Sequence, residues 1–242
     1  EIASCLVGSE MCIRDSFYQS GGAWGFRDQL QDMLSLLYTQ PERARAHLLL
    51  CASRQYVQGD VQHWWHPGGA GVRTRISDDL LFLPYATARY VYVTADRDIL
   101  RAHAPFLRSG ELSDAEHDRY ETPEQTAETA PLMEHCLRAI ARVRYGEHGI
   151  PLMQGGDWND GMDRVGGESA WLGFFLIVVL REFAPLCEES VRRELDAQRI
   201  QLQSAMQAAW TGKWFLRAWY EDGRTLGAPD SDCLLYTSDA AD

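Results

Sequence analysis

The sequence is poor in the features that would place it in several common classes. It has six cysteines in 242 residues and no CxxC pair, so neither a disulfide framework nor a thiolate zinc site is indicated. Its longest apolar run, Ala170 to Leu180, is about eleven residues, whereas a helix that crosses a bilayer needs ~20. No secretory leader can be read at its start. No basic tract interrupts a chain with 23 Lys+Arg against 35 Asp+Glu and a formal charge of −12, which argues against nucleic acid or an anionic membrane surface as partner. No internal repeat or low-complexity linker divides the chain, so one domain is the economical expectation.

Both ends look foreign. Residues 1–16, closing on Met11-Cys12-Ile13-Arg14-Asp15-Ser16, and residues 233–242, Cys233-Leu234-Leu235-Tyr236-Thr237-Ser238-Asp239-Ala240-Ala241-Asp242, resemble the two orientations of a translated sequencing adapter. Such scars are set aside in fold reasoning. The expected native piece is residues 17–232, a segment of a longer gene product. Without the tails Lys+Arg falls to 22 and Asp+Glu to 30, a net charge of −8. Cys51, Cys136 and Cys187 remain, widely spaced and odd in number, as buried thiols of a reducing compartment would be.

What the sequence does have is helical periodicity. Leu30, Met33, Leu34 and Leu37 form one apolar stripe, the i, i+3, i+4, i+7 pattern of a helix face. Pro41 suits the first turn of a second helix with Ala44, Leu48, Cys51 and Tyr56 inward. Asp78-Asp79 can cap a third, with Pro84 near its first turn. Met133, Cys136, Ile140 and Val143 mark a fourth that ends near Gly146. Ser169–Phe183 is apolar nearly all round and therefore buried on several sides, and a last helix covers about Glu188–Ala209. Residues 57–77, 105–129 and 146–168 read as long polar loops, and 213–227 as a hairpin turning at Asp222-Gly223. The expected fold class is all-α, an α/α barrel of antiparallel helix pairs with chemistry on long loops.

Three clusters carry candidate chemistry. Gly155-Gly156-Asp157-Trp158-Asn159-Asp160-Gly161-Met162-Asp163 sets carboxylates beside an indole in a glycine-flanked turn. A carboxyl shielded by such a face holds its proton more tightly and can donate it, and the indole gives a sugar ring a surface to stack on. Local chemistry does not separate Asp160 from Asp157 as that acid, and a plain surface turn has the same composition. Arg27-Asp28 offers a donor fork beside a pure acceptor, as sugar hydroxyls require; a helix cap and a surface ion pair would look the same. In Gln62-His63-Trp64-Trp65-His66-Pro67-Gly68-Gly69 the adjacent tryptophans suit a saccharide platform, with Trp65 and His66 as candidate contacts, although one tryptophan of such a pair can equally be core. The two histidines lack further ligands at metal spacing, so no metal is expected. The glycines after them make no Walker pattern.

Taken in order, Gly25-Phe26-Arg27-Asp28-Gln29-Leu30-Gln31-Asp32, Gln62 to Pro67, Arg73-Thr74-Arg75-Ile76-Ser77-Asp78-Asp79-Leu80, Glu134-His135-Cys136 and Gly156 to Met162 resemble glycoside hydrolase family 94, the inverting phosphorylases of β-glucosides. Within it the likeness is greatest to the phosphorylase-like domain of cyclic β-1,2-glucan synthases and to 1,2-β-oligoglucan phosphorylases. The resemblance implies a partial (α/α)6 barrel over residues 17–232, with a β-glucan oligosaccharide and inorganic phosphate as partners and no cofactor beyond that co-substrate. It implies that phosphate attacks the anomeric carbon while Asp160 protonates the leaving oxygen, with Asp157 the runner-up and Arg27, Asp28 and Trp158 near the donor glucose. An inverting hydrolase would instead need a second carboxylate to activate water, here Asp28 or Asp79. A degenerate glucan-binding module is the non-enzymatic alternative. Phosphate use implies a cytoplasmic site, in a soluble enzyme or a cytoplasmic domain of an inner-membrane synthase, without membrane contact by this segment; family members are often homodimers. The family's phosphate-holding His and Thr-Gly groups lie C-terminal to this stretch, so the 242 residues alone are expected to be inactive.

Overall fold

The structure, a computed structural model, describes residues 22–113 and 115–229; the adapter-like stretches 1–16 and 233–242 lie outside them. The chain separates into two compact units, one running to Arg75 and resuming over Asp79–Arg142, the other formed by Ile76–Asp78 with Val143 onward.

The first unit contains β1 (Trp24–Gly25), α1 (Phe26–Met33), α2 (Pro41–Ala52), β2 (Gln62–Trp65), β3 (Gly71–Thr74), α3 (Asp79–Thr94), β4 (His103–Arg108), β5 (Asp118–Glu121), β6 (Glu124–Pro131) and α4 (Leu132–Ala141). Its helices form where the apolar spacing calls for them. Phe26, Leu30 and Met33 are buried along α1, and Ala44, Leu48 and Cys51 along α2, which opens on Pro41. The chain leaves α2 before Tyr56, whose backbone bridges Leu107 and whose buried ring lies under the Arg73 guanidinium. α3 is buried on most sides and carries Pro84 in its interior, beyond the first turn where proline is tolerated without loss of a helical hydrogen bond. Each large aliphatic side chain enclosed in this way contributes roughly 1.5–3 kcal/mol.

The second unit holds β7 (Leu152–Gln154), β8 (Gly166–Glu168), α5 (Ala170–Phe183), α6 (Glu189–Ala205), β9 (Ala218–Trp219) and β10 (Thr225–Leu226). Ser169 caps α5, its Oγ accepting from the Leu172 amide at 3.0 Å. Met153, Val165, Ala218 and Leu226 form a small core under the β7–β8 and β9–β10 hairpins. Asp222-Gly223 turns the second of these, with Gly223 at φ 82°.

The all-α expectation, and with it a partial (α/α)6 barrel of helix pairs alone, is overturned. Among the described residues the fold is mixed: β1, β2, β3 and β5 make a four-stranded antiparallel sheet in the order β1-β2-β3-β5, and β4–β6, β7–β8 and β9–β10 pair as two-stranded sheets. Of the ten described strands, β2 to β8 fall wholly or largely in the three segments expected as long loops, and β9 and β10 in the expected hairpin. They are two to eight residues long and rich in exposed polar side chains, so their period-2 alternation carries little hydrophobic signal. Their pairing still has strict local requirements. Pro67-Gly68 forms the turn of the β2–β3 hairpin, with the Gly69 amide bonding the His66 carbonyl and Gly68 at φ 100°, the sign that a type II turn demands of its third residue. Gly71 lies against the Trp64 carbonyl, where a Cβ would overlap it. Among the described residues no helix is long and apolar enough to cross a membrane.

Candidate active site

In the first unit the candidate residues gather where β1 runs into α1 and pairs with β2. Trp24 lies opposite Trp65, and Gly25 opposite Trp64. A register shift between Gln62 and Trp64 interrupts the strand's alternation, as a bulge does. In consequence Gln62 and Trp65 are both buried, while His63 and Trp64 are partly open. Trp65 is 0% exposed, packed edge-on against Trp24 and Phe26. It has no face to offer a sugar and acts as core. The rings that do reach the surface are those of Trp64, His66 and Tyr120, which meet at centroid distances of 5.4 to 6.4 Å.

Arg27 is buried on α1, its Nη1 3.8 Å from Asp79 Oδ1. The other oxygen of Asp79 meets His63 Nδ1 at 2.6 Å. His63 and Asp79 thus form a dyad beside the Arg27 guanidinium, a partnership that adjacency in the sequence conceals. Asp28 is half-buried and its carboxylate folds back over Gly25 at the start of α1, the side on which a helix N-terminus favours negative charge. Arg73 and Arg75 are occupied elsewhere: Arg73 makes a two-pronged pair with Asp60 at 2.7 and 2.8 Å, and Arg75 donates to the carbonyls of Leu112, Ser113 and Glu116.

In the second unit Gln154, at the end of β7, takes φ 55°, an uncommon conformation for a residue with a side chain, and the chain turns into the Gly155–Asp163 loop. Asp157 is 0% exposed. Its Oδ1 accepts from the Asn159 amide at 3.1 Å and from Arg217 Nη2 at 2.6 Å; its Oδ2 accepts from Ser169 Oγ at 2.6 Å. A carboxylate with three such donors, one of them cationic, has both oxygens engaged inside the fold. Asn159 then caps the short 3-10 turn Asp160–Met162 by accepting from the Gly161 amide at 3.0 Å. Asp160 and Trp158 are both exposed on this turn, Trp158 at 52%. Three residues apart, one carboxylate is locked inside and the other is presented outward.

A second buried acid ties the turn that precedes β7. Glu168, buried at the end of β8, accepts from the His148 and Ile150 amides at 3.0 Å each and from His148 Nδ1 at 2.5 Å. The His148 ring stacks on Trp219 with centroids 4.6 Å apart. Arg217, His148 and Glu168 escaped the sequence reading. Arg217 lies 60 residues from Asp157, and no local spacing joins them. Glu168 lies 18 to 20 residues from the amides it accepts from, again beyond any local pattern.

The second unit thus exposes Asp160 and Trp158 on one turn, and the first sets Arg27 beside the His63–Asp79 dyad. The chain belongs to the glycosyl hydrolase 94 superfamily: the profile of that superfamily's catalytic domain matches residues 2–238. It is 44% identical over 245 residues to cyclic beta-(1,2)-glucan synthase NdvB of Rhizobium meliloti (strain 1021), covering 95% of this chain and 8% of that protein. It is 29% identical over 219 residues to solabiose phosphorylase of Paenibacillus borealis, covering 84% of this chain and 25% of that protein. N,N'-diacetylchitobiose phosphorylase of Vibrio furnissii is 25% identical over 265 residues, covering 93% and 30%. The chain therefore spans less than a third of the length of each of these relatives.

Proposed function

We propose that the whole protein carrying this chain is an inverting glycoside phosphorylase that releases α-glucose 1-phosphate from the non-reducing end of a β-glucan, with β-1,2-linked glucan as the substrate. The observation that carries this reading is the division of labour in the Gly155–Asp163 loop. Asp157 is bound to Arg217, Ser169 and the Asn159 amide, so its charge is needed where it is. Asp160 stands on a capped turn, exposed, next to Trp158. As general acid Asp160 gives its proton to the glycosidic oxygen while a phosphate oxygen attacks the anomeric carbon from the opposite face, inverting the configuration. The nucleophile arrives already charged, so no protein base is required, unlike the inverting hydrolases that need a second carboxylate for water. Trp158, on the same turn, supplies an apolar face for the ring.

The linkage follows the relatives: one at 44% identity is named for β-1,2-glucan, and others are named as phosphorylases. Of the two carboxylates a hydrolase could use as base, Asp79 is bonded to His63 and paired with Arg27, and Asp28 is folded over Gly25. The phosphate-holding groups of the reaction belong to residues outside the 242, and the chain by itself does not turn over. Incubation with short β-1,2-glucans, with and without phosphate, tests the reading. Glucose 1-phosphate that requires phosphate supports it; free glucose formed without phosphate defeats it in favour of hydrolysis. Turnover by the 242 residues alone, at the whole protein's rate, refutes the assignment of the phosphate groups.

A further inference from the structure

We propose that Arg217 is the positioning residue of the general acid, holding Asp160 through Asp157 and Asn159. The inference rests on Asp160 as the acid and adds the device that fixes it. Arg217 uses the two ends of its guanidinium on different partners: Nη2 on Asp157 Oδ1 at 2.6 Å, and Nη1 on Ser169 Oγ at 3.1 Å. Ser169 closes the triangle by donating to Asp157 Oδ2 at 2.6 Å while accepting from the Leu172 amide at 3.0 Å. One hydroxyl proton and two lone pairs are thereby fully used.

From this triangle the restraint runs to the acid in two steps. Asp157 Oδ1 takes the Asn159 amide, and Asn159 Oδ1 takes the Gly161 amide. The residue between those two tethered amides is Asp160. The anchor itself is fixed at both ends of its backbone, since the Arg217 amide donates to the Leu226 carbonyl at 2.9 Å and its carbonyl accepts from the Ala170 amide at 3.1 Å. Gly156, just before Asp157, is held in turn by the Ser77 amide and hydroxyl, each 2.9 Å from its carbonyl. An exposed carboxyl on a free loop would sample many positions; this one is carried on a turn tied to a helix cap and a hairpin. A lysine cannot replace the arginine in full, because one ammonium cannot span both acceptors with the same planar fork.

Two measurements test the proposal. In the whole protein, hydrogen exchange of the Asn159 and Gly161 amides is compared between the wild type, Arg217→Gln and Arg217→Lys. Exchange at both amides accelerates at least about tenfold in Arg217→Gln while amides inside α6 keep their protection; Arg217→Lys lies between. In the whole protein, kcat of Arg217→Gln falls about 100-fold, the scale of a misplacement near 1 Å, with KM for phosphate unchanged. The alkaline limb of the pH–kcat profile, which belongs to the acid, also moves. A loss of folded protein would scale that profile down without moving it. Unchanged exchange at Asn159 and Gly161 overturns the proposal, and so does faster exchange with an unaltered kcat and limb. If Arg217→Gln does not fold, Arg217→Lys carries the same comparison. A wild-type protein that makes no glucose 1-phosphate defeats the phosphorolysis reading alone, and the exchange result still decides the lock.

Discussion

The 105–129 and 146–168 segments look alike in sequence, long, polar and acidic, yet they are tied down by opposite chemistry. In the first, cations hold carbonyls. Arg73, Arg75 and Arg119 donate to the backbone oxygens of Ser109, Gly110, Glu111, Leu112, Ser113 and Glu116. In the second, anions and an amide side chain hold backbone N–H groups: Glu168 takes those of His148 and Ile150, Asp157 that of Asn159, and Asn159 that of Gly161. A segment clamped by its carbonyls spends the arginines inward, and two of its exposed acids, Glu111 and Glu128, pair with Arg142 and Arg138. A segment clamped by its amides needs inward carboxylates, and the next carboxylate along, Asp160, is exposed on the capped turn. Two loops of similar composition thus serve different ends.

The largest effect expected from breaking the first clamp is that of Arg73→Met. Arg73 is buried and paired with Asp60, and removal of one partner from such a pair costs about 3–5 kcal/mol, because the remaining charge is left uncompensated. Chemical denaturation measures the loss; a change under 1 kcal/mol would mean that the clamp is replaceable. His135, whose ring stacks on Phe106 with centroids 4.1 Å apart, gives a pH handle at the start of that segment. Its Nε2 meets the Ala104 carbonyl at 3.1 Å and its Nδ1 the Gln55 Oε1 at 2.8 Å, and burial pushes its pKa down from 6.5 to about 4. The unfolded chain therefore binds a proton that the folded chain refuses between those two values. The stability His135 allows is fully present above pH 6.5 and declines as pH falls toward 4, by about 3 kcal/mol in all at ~1.4 kcal/mol per unit. His135→Gln flattens that slope in a pH series of denaturation curves; a slope that persists in the variant assigns it to other groups.

How much of this was legible in the sequence depends on distance along the chain. The six described helices overlap the six helical segments expected from local sequence. The strands were missed because Glu124–Pro131 and its partners alternate polar side chains over a few residues, which looks the same as loop. Trp65 was offered as a sugar contact, yet the register shift in β2 turns it into the core and leaves Trp64 outside, and no count of residues predicts a bulge. Asp157 and Asp160 could not be separated locally because what separates them, Arg217, comes from the β9 hairpin.

Two smaller effects sharpen the contrast from the side of the second segment. Glu168→Gln keeps the side chain's shape but removes the charge that accepts from two amides and His148, and costs about 1–3 kcal/mol. His148 and Ile150 amides exchange faster in that variant, and unchanged exchange would count against the amide clamp. Trp158→Ala changes stability least, within about 0.5 kcal/mol, as expected for a side chain that is half exposed, and raises KM for the glucan in the whole protein. A larger loss of stability than that of Glu168→Gln would place Trp158 in the packing and remove it from the substrate face.

The most direct measurement compares Asp160→Asn with the wild-type whole protein on short β-1,2-glucans in the presence of phosphate, together with the melting temperature of both. The amide cannot donate the proton, so glucose 1-phosphate formation falls by at least about 100-fold while Tm is unchanged, because Asp160 faces outward on its turn. Wild-type turnover in Asp160→Asn, or lost turnover that tracks an unfolded protein, would contradict the assignment of Asp160 as an acid that the fold itself does not need.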